Sequence, residues 1–362
     1  MRLLGKLKTF TLGLIAFINV LVILLMVCTA YAGHVSPEQH EYAEIAALAF
    51  PFPLAVNLLF LLFWLLVRVR YTLIPLAGLL LCGGAVRDYC PIHPFSSAPP
   101  EGAIKVLSYN VCSFVGPECD RSRMMKMADY ICKQDADIVC LQEASPWVKA
   151  KKDEVERRLS QTYPYSRSFK EKVIEKIAVY SKHPIRWAIE APYKSKRNNI
   201  MVCSIDLGGD TLLVFNAHLQ SIRLNPEDKK EIRDFVERKA STIDENSIID
   251  KVTKTAQRRA AQADHLVRGI KQRTHTSIIL CGDFNSSPNC YPHHVISQWL
   301  DDCYTATATG PGYTFSQQGI LVRIDNIFCS PDLKPYQCRV DTKNTLSDHY
   351  PISCWVKKRT KP

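Results

Sequence analysis

Apolar positions divide the chain into two parts with different rules. Near the N-terminus they form long unbroken runs. Leu12 to Ala32 has only Asn, Cys, Thr and Tyr as polar side chains, and Ala43 to Val67 follows with one early glutamate, Glu44. Both exceed the roughly 20 residues that a helix needs to cross a bilayer. A third run, Tyr71 to Val86, is shorter and carries Pro75 and three glycines. As a straight helix of roughly 16 residues it would reach only about 24 Å, slightly less than the hydrocarbon core, which local thinning can accommodate. The first run is too long, and too closely followed by others, for a cleaved signal peptide.

Beyond Ala103 the apolar runs shorten and alternate with polar stretches. Ile104–Tyr109, Asp137–Leu141, Ile177–Tyr180, Met201–Asp206, Thr211–Asn216, Tyr313–Phe315, Ile324–Cys329 and Ile352–Val356 read as strands. Ser277–Cys281 is an isoleucine-rich run expected to be buried on both faces. The two glycines in Leu207–Asp210 predict a hairpin turn. Helical spacing runs over Arg121–Gln134 and Thr253–Arg273, and the charged stretch Pro226–Lys254 has a helical start after Asn225. Many strands and a few helices predict two packed sheets with helices outside. The expected organisation is a membrane region over 1–87, a proline-rich linker over 88–102 and one domain over 103–362.

Charge changes this picture by giving it a direction. Arg2, Lys6 and Lys8 precede the first apolar run, His34–Tyr42 carries no lysine or arginine, and Arg68 and Arg70 separate the second run from the third. Positive residues stay on the cytoplasmic side, so three spans would send the domain out of the cytoplasm and two would leave it inside. The expectation is a multi-pass protein of the cell membrane with an extracytoplasmic domain. The net charge of +11 is spread over segments that also carry acids, the pattern of solvated helix faces. It offers anions and lipid head groups a weak attraction and does not by itself indicate nucleic acid. Of the 14 cysteines, Cys140 and Cys281 sit in apolar runs as small core residues, whereas Cys112, Cys119, Cys290 and Cys303 lie in more polar surroundings where pairing is open to them. No C-x-x-C zinc pattern is present.

Candidate chemistry gathers where apolar runs end. Asn110, Glu143, His218, Asp283 with Asn285, Asp325, and Asp348 with His349 each lie in or beside a strand-like run. Strand side chains alternate with period two, so Asp283 and Asn285 fall on one side of the chain: a carboxylate that accepts protons or holds a metal, beside an amide that donates to a phosphate oxygen. Each of these residues alone would pass for a turn or surface group. Together, strand ends on one rim of a stacked sheet can line a single pocket.

The segments SYNVCSF, IVCLQE, NAHLQS, CGDFNSSP, RIDNIF and SDHYPI, in this order, resemble the endonuclease/exonuclease/phosphatase superfamily over about Ala103 to Trp355. The resemblance implies a four-layered α/β sandwich, preceded here by the transmembrane helices, and divalent-metal hydrolysis of phosphate esters. By resemblance Glu143 is the principal ligand of Mg²⁺ or Mn²⁺, with Asn110 nearby and Asp348 in reach of the metal. A hard cation preferring carboxylate and neutral oxygen donors agrees with that set. His349 is similar to the histidine that contacts the scissile phosphate, oriented and charged by Asp325. Asp283 resembles the group that aligns and deprotonates the attacking water, Asn285 a phosphate donor, and His218 a second histidine at the phosphate or leaving group.

The motifs do not separate lipid, sugar or inositol phosphate and nucleic-acid substrates. No run of interleaved aromatic and basic residues marks a nucleic-acid track. The charged insert Asn225–Asp250 stands where a substrate-specific element or a plain solvated helix would fit. The lipid bilayer is an implied partner, and no sequence feature calls for an obligate protein partner. A non-catalytic membrane-bound binding module is the competing class, disfavoured because Glu143, Asp283 and His349 are all present.

Overall fold

The computed structural model describes all residues except 1, 117, 121, 146–148, 170–176, 192–198, 223–244, 318–319 and 360–362. The expected helical start after Asn225 therefore lies outside the described residues.

Two six-stranded sheets lie face to face. The first holds β1 (Ile104–Asn110), β2 (Ile138–Gln142), β3 (Tyr165–Ser168), β4 (Ala178–Ser181), β13 (Leu333–Val340) and β14 (Ile352–Lys358), in the order β13-β14-β1-β2-β4-β3. The second holds β5 (Ile185–Glu190), β6 (Ile200–Asp206), β7 (Thr211–His218), β8 (Ser277–Asp283), β9 (Asp301–Asp302) and β12 (Asp325–Cys329), in the order β5-β6-β7-β8-β12-β9. A small hairpin, β10 (Phe315–Gln317) with β11 (Ile320–Val322), stands apart from both. Within each sheet one pair, β1 with β2 and β7 with β8, is parallel. A parallel pair needs a crossover, and helices Arg123–Gln134 and Glu245–Lys271 supply them.

Three apolar clusters make the layers. Between the sheets lie Val106, Ile138, Cys140, Val179, Cys203, Val214, Ile279, Cys281, Ile327 and Cys354. Met124, Met127 and Ile131 of the first crossover helix pack on Leu107, Val139 and Leu141, and Leu266 and Ile270 of the second pack on Leu213, Phe215 and Ile278. This helix–sheet–sheet–helix order is the expected four-layered sandwich. The expected strands are present within two residues at their ends, except that Tyr313–Phe315 is strand only from Phe315, where β10 begins, and the Gly208–Gly209 hairpin joins β6 to β7. All 14 cysteines are free; Cys303 is buried in the apolar cluster between the sheets rather than in polar surroundings, and Cys290 is buried beside Glu44, Arg259 and Ser286.

Gly282 fixes the end of β8. Its φ is +146°, and an added Cβ would sit 1.8 Å from the Ala217 carbonyl oxygen of β7. Only glycine lets the two strands approach this closely just before Asp283.

The N-terminal part holds two helical stretches long and apolar enough to cross a membrane, Thr9–Ala32 and Ala43–Val67. The third stretch is not one straight helix: Val69–Leu81 and Gly83–Tyr89 meet at a 70° bend. Cys82, with the adjacent Gly83 and Gly84, stands at the break. This stretch nevertheless runs along the other two. Tyr71 stacks on Trp64 with centroids 4.8 Å apart, the Pro75 carbonyl accepts from Asn57, Tyr31 Oη donates to the Leu81 carbonyl, and Tyr89 packs edge-on against Phe50. Asn19, Asn57 and Trp64 satisfy one another in between, as buried polar groups in an apolar bundle must.

The linker expected over 88–102 packs more than its composition suggests. The Asp88 carbonyl accepts from Arg323, Gly310 N donates to the Pro91 carbonyl at 2.9 Å, and His93 N donates to Thr309 Oγ1 at 2.7 Å. Between and beyond these contacts it opens to solvent, with Ile92 75% and Phe95 95% exposed.

Candidate active site

Strand register assembles one rim. In the second sheet His218 lies opposite Asp283, and Asp283 opposite Asp325. In the first sheet Asn110 lies opposite Gln142, and Glu143 is the next residue. His349 enters from the segment before β14 and bridges to Phe315, whose ring meets the imidazole edge-on with centroids 5.1 Å apart. All the sequence-predicted residues come to this rim, around Asp283.

Asp283 Oδ2 is the meeting point. It accepts from Asn110 Nδ2 at 3.0 Å and lies 3.7 Å from both His218 Nε2 and His349 Nε2. The other oxygen, Oδ1, accepts from the Asn285 backbone N–H at 2.8 Å. The same Asn110 amide also donates to Glu143 Oε1 at 3.1 Å, and His218 Nε2 lies 3.9 Å from that oxygen. His349 Nδ1 pairs with Asp325 Oδ2 at 2.8 Å.

The Asp325–His349 pair is buried. Burial works against the imidazolium, yet Asp325 and Asp283 outweigh it and raise the His349 pKa well above its ordinary value. Burial pushes Asp325 up to about 6, against the pull of His349. The proton therefore resides on His349 at neutral pH, giving an imidazolium clamped at Nδ1 with Nε2 turned toward Asp283.

Asn285 adopts a left-handed backbone, φ 50°, and its side-chain amide donates to the Leu219 carbonyl at 3.1 Å. One of its amide hydrogens thus ties two loops together. Glu143 is also left-handed, φ 50°, as are Cys112, Ser113 and Phe114. Such non-glycine residues cost about 1–3 kcal/mol each and gather where the surrounding structure over-determines a site.

The donor set fits a hard divalent cation. Glu143 and Asp283 present carboxylate oxygens to one amide, and half-buried Asp348 lies on the same rim, accepting from Ser347 Oγ at 3.2 Å. The Cys112 thiol registers that negative field: burial first, then Asp348 and Glu143, push its pKa well up. Asp283, Asp325 and His349 also bring one donor atom each to within 4.8 Å of one another. Glu143 and Asp348 offer carboxylate oxygens of the kind a hard divalent cation prefers, whereas Asn110 turns its amide nitrogen to Glu143 and Asp283 and its oxygen accepts from Cys112 N at 3.0 Å.

Sequence reasoning missed the floor beneath this rim. Gln142 Nε2 donates to Asn216 Oδ1 at 2.7 Å, and Asn216 Nδ2 donates to the Leu141 and Ala178 carbonyls at 3.0 Å each. These fully buried amides tie the sheets together one residue from Glu143 and two from His218. Ser347 Oγ likewise donates to the Asn110 carbonyl. The signal was polar residues inside otherwise apolar strands.

The sequence model of the endonuclease/exonuclease/phosphatase family matches residues 107–349. The chain belongs to this family. Membership places it among phosphoesterases and nucleases, a family that generally uses divalent metals. A second model, described as a domain of unknown function, matches residues 12–89. A comparison with curated proteins found no match.

Solved structures share the family fold at low identity. TDP2 from C. elegans superposes with a TM-score of 0.51 at 17% identity, over 72% of this chain and 76% of its own. D. rerio TDP2 complexed with a single-strand DNA product gives 0.51 at 16%, over 71% and 100%. An endonuclease/exonuclease/phosphatase from Bacteroides vulgatus gives 0.51 at 16%, over 72% and 100%.

Proposed function

We propose that this chain is a membrane-anchored, divalent-metal-dependent phosphoesterase that cleaves a phosphate mono- or diester by in-line attack of water. The observation that carries this reading is the position of Asp283 Oδ2, 3.7 Å from each of two imidazoles and beside the Asn110–Glu143 pair. Asp283 aligns the attacking water and takes its proton. Held cationic by Asp325, His349 turns Nε2 to a phosphoryl oxygen and stabilises the charge that grows there in the transition state. His218 serves a second oxygen of the same group, and Asn285 offers the phosphate its remaining amide hydrogen. A divalent cation held by Glu143 and Asp348 would supply further charge neutralisation.

The same reading puts the catalytic domain, residues 103–362, outside the cytoplasm. The loop between the first two apolar helices touches the catalytic domain: His34 stacks on His294 with centroids 3.8 Å apart. A loop and a domain in contact share one side of the membrane. The N-terminus and Arg68–Arg70 belong to the other side, so the bent stretch Val69–Tyr89 has to carry the chain back across. Its contacts run from Trp64 at one end to Tyr31 and Phe50 at the other, as a crossing requires. With lysines and arginines inside, the domain is extracytoplasmic.

The test is the full chain in detergent against a panel of lipid, sugar and inositol phosphate esters and single-stranded DNA, with Mg²⁺, Mn²⁺ or chelator. Metal-dependent release of phosphate or alcohol from one class supports the reading, and metal-independent or absent turnover across the panel refutes it. For topology, an alkaline phosphatase fused after Pro100 should be active and a cytoplasm-only fluorescent reporter dark; the reverse would overturn the orientation.

A further inference from the structure

Glu44 lies at the start of the second apolar stretch, in the first turn of the short helix Ala43–Leu48, and is 1% exposed. Its buried carboxylate reaches the catalytic domain. Oε1 accepts from Arg259 Nη2 at 3.0 Å and from Ser286 Oγ at 3.0 Å. Arg259, on the crossover helix Glu245–Lys271, is itself fully buried and also donates from Nη1 to the Gln220 carbonyl at 2.9 Å. Ser286 follows Asn285, and Gln220 stands two residues after His218. Glu44 thus closes a bracket around both loops that carry the site: His218–Gln220 after β7 and Asp283–Ser286 after β8. The loops hold each other as well, since Leu219 N donates to the Asp283 carbonyl and Asn285 Nδ2 to the Leu219 carbonyl.

A buried charge pair is an expensive way to join two surfaces. Desolvation offsets much of the Coulomb gain, so well-packed apolar residues would hold them about as firmly. Arginine cannot neutralise itself by losing its proton. Without Glu44 a bare guanidinium would remain inside the protein, directly behind the catalytic loops. What a charged bracket provides beyond adhesion is fixed hydrogen-bond geometry at Ser286 and Gln220. The docking around it is close: a Cβ on Gly33 would sit 1.9 Å from the Asn289 carbonyl oxygen.

We propose that Glu44 is a positioning residue for the active site. Through Arg259 and Ser286, the N-terminal apolar segment sets the loops that carry His218 and Asp283, and so acts as a working part of the enzyme as well as its anchor. This rests on the phosphoesterase reading for its catalytic consequence, while the bracket itself is testable without it.

The experiment compares full-length wild type, Glu44→Ala, Glu44→Gln and Ser286→Ala in detergent, with turnover normalised to folded protein. Misplacing catalytic groups by an ångström lowers rates about a hundredfold. Glu44→Ala should lower kcat on that order with little change in KM. Glu44→Gln, which keeps the shape and both acceptor contacts, should recover most of it. Wild-type kcat in folded Glu44→Ala would overturn the proposal. If that variant does not fold, the pair Glu44→Met with Arg259→Met removes both charges at similar volume, and it too should lose kcat; wild-type kcat there overturns the proposal as well. Amide hydrogen exchange separates failure of the bracket from failure of the assigned activity. Exchange at 219–220 and 284–287 should accelerate in Glu44→Ala, or in the Met pair, relative to the rest of the domain. Unchanged protection overturns the bracket whatever the enzyme hydrolyses.

Discussion

Replacing Asp325 by asparagine removes the carboxylate that holds His349 at 2.8 Å while leaving nearly the same shape. At an effective dielectric of about 20, a full charge pair at that separation is worth about 6 kcal/mol before desolvation is subtracted. Asp283, at 3.7 Å from the other ring nitrogen, contributes about 4.5 kcal/mol on the same basis. Asp325 is therefore the larger of two terms that keep a buried imidazole charged, and burial alone would drive it neutral. Asp325→Asn should leave His349 largely uncharged at neutral pH and lower kcat/KM by about a hundredfold to a thousandfold, comparable to the loss of a transition-state donor. His349→Ala should lose about as much, and the double variant little more, because residues acting as one unit are non-additive. The assay is kcat/KM for the four proteins on one ester at fixed metal. Two large effects that simply multiply in the double variant would refute the pairing.

Gly282→Ala should destabilise the domain by several kcal/mol, about the sum of backbone strain at positive φ and an overpacked strand contact, seen as a lower denaturation midpoint; an unchanged midpoint would contradict the close approach to Ala217. Glu143→Gln should weaken Mg²⁺ or Mn²⁺ dependence before it weakens substrate binding, with turnover partly restored by high metal; near wild-type turnover at low metal would remove Glu143 from the ligand set. Acid should loosen the docking of the His34 loop. Burial, then His34 and His293, lower the His294 pKa to about 4, against a weaker pull from Asp88. The unfolded or undocked histidine takes up a proton below its ordinary value of about 6.5 while the docked one resists, so stability is full above that pH and falls between about 6.5 and 4. A His294→Gln chain should show a shallower loss over that window in thermal melts, and identical slopes would refute the assignment.

The rim was legible in the sequence because its residues end strands whose apolar runs are unmistakable: Ser277–Cys281 could be read as a central strand, and Asp283 therefore as a strand-end residue. Register then did what the sequence implied, setting His218, Asp283 and Asp325 abreast. The edge strands were not legible. Tyr165–Ser168, Ile185–Glu190 and Leu333–Val340 carry exposed and half-buried residues without clean alternation, since an edge strand packs on only part of its surface. Helix Lys149–Ser160 is two-thirds charged, so its pattern resembles any solvated segment. The contact between the N-terminal apolar part and the loops of the site was least visible. Glu44 stands out only as one acid at the start of an apolar run, and its partner Arg259 lies 215 residues away. Side-chain chemistry at that separation is set by tertiary docking, which local periodicity does not encode.

Asp283 is the residue on which both sheets, both histidines and the Asn110 amide converge, so its removal tests the account most directly. Asp283→Asn keeps the shape of the site but removes the group assigned to take the water's proton. In the full-length protein with saturating Mg²⁺, phosphate-ester turnover should fall by about a hundredfold to ten-thousandfold, the usual contribution of a general base, with the protein folded and substrate still bound. Turnover within a few-fold of wild type would contradict the assignment of this rim as the catalytic centre.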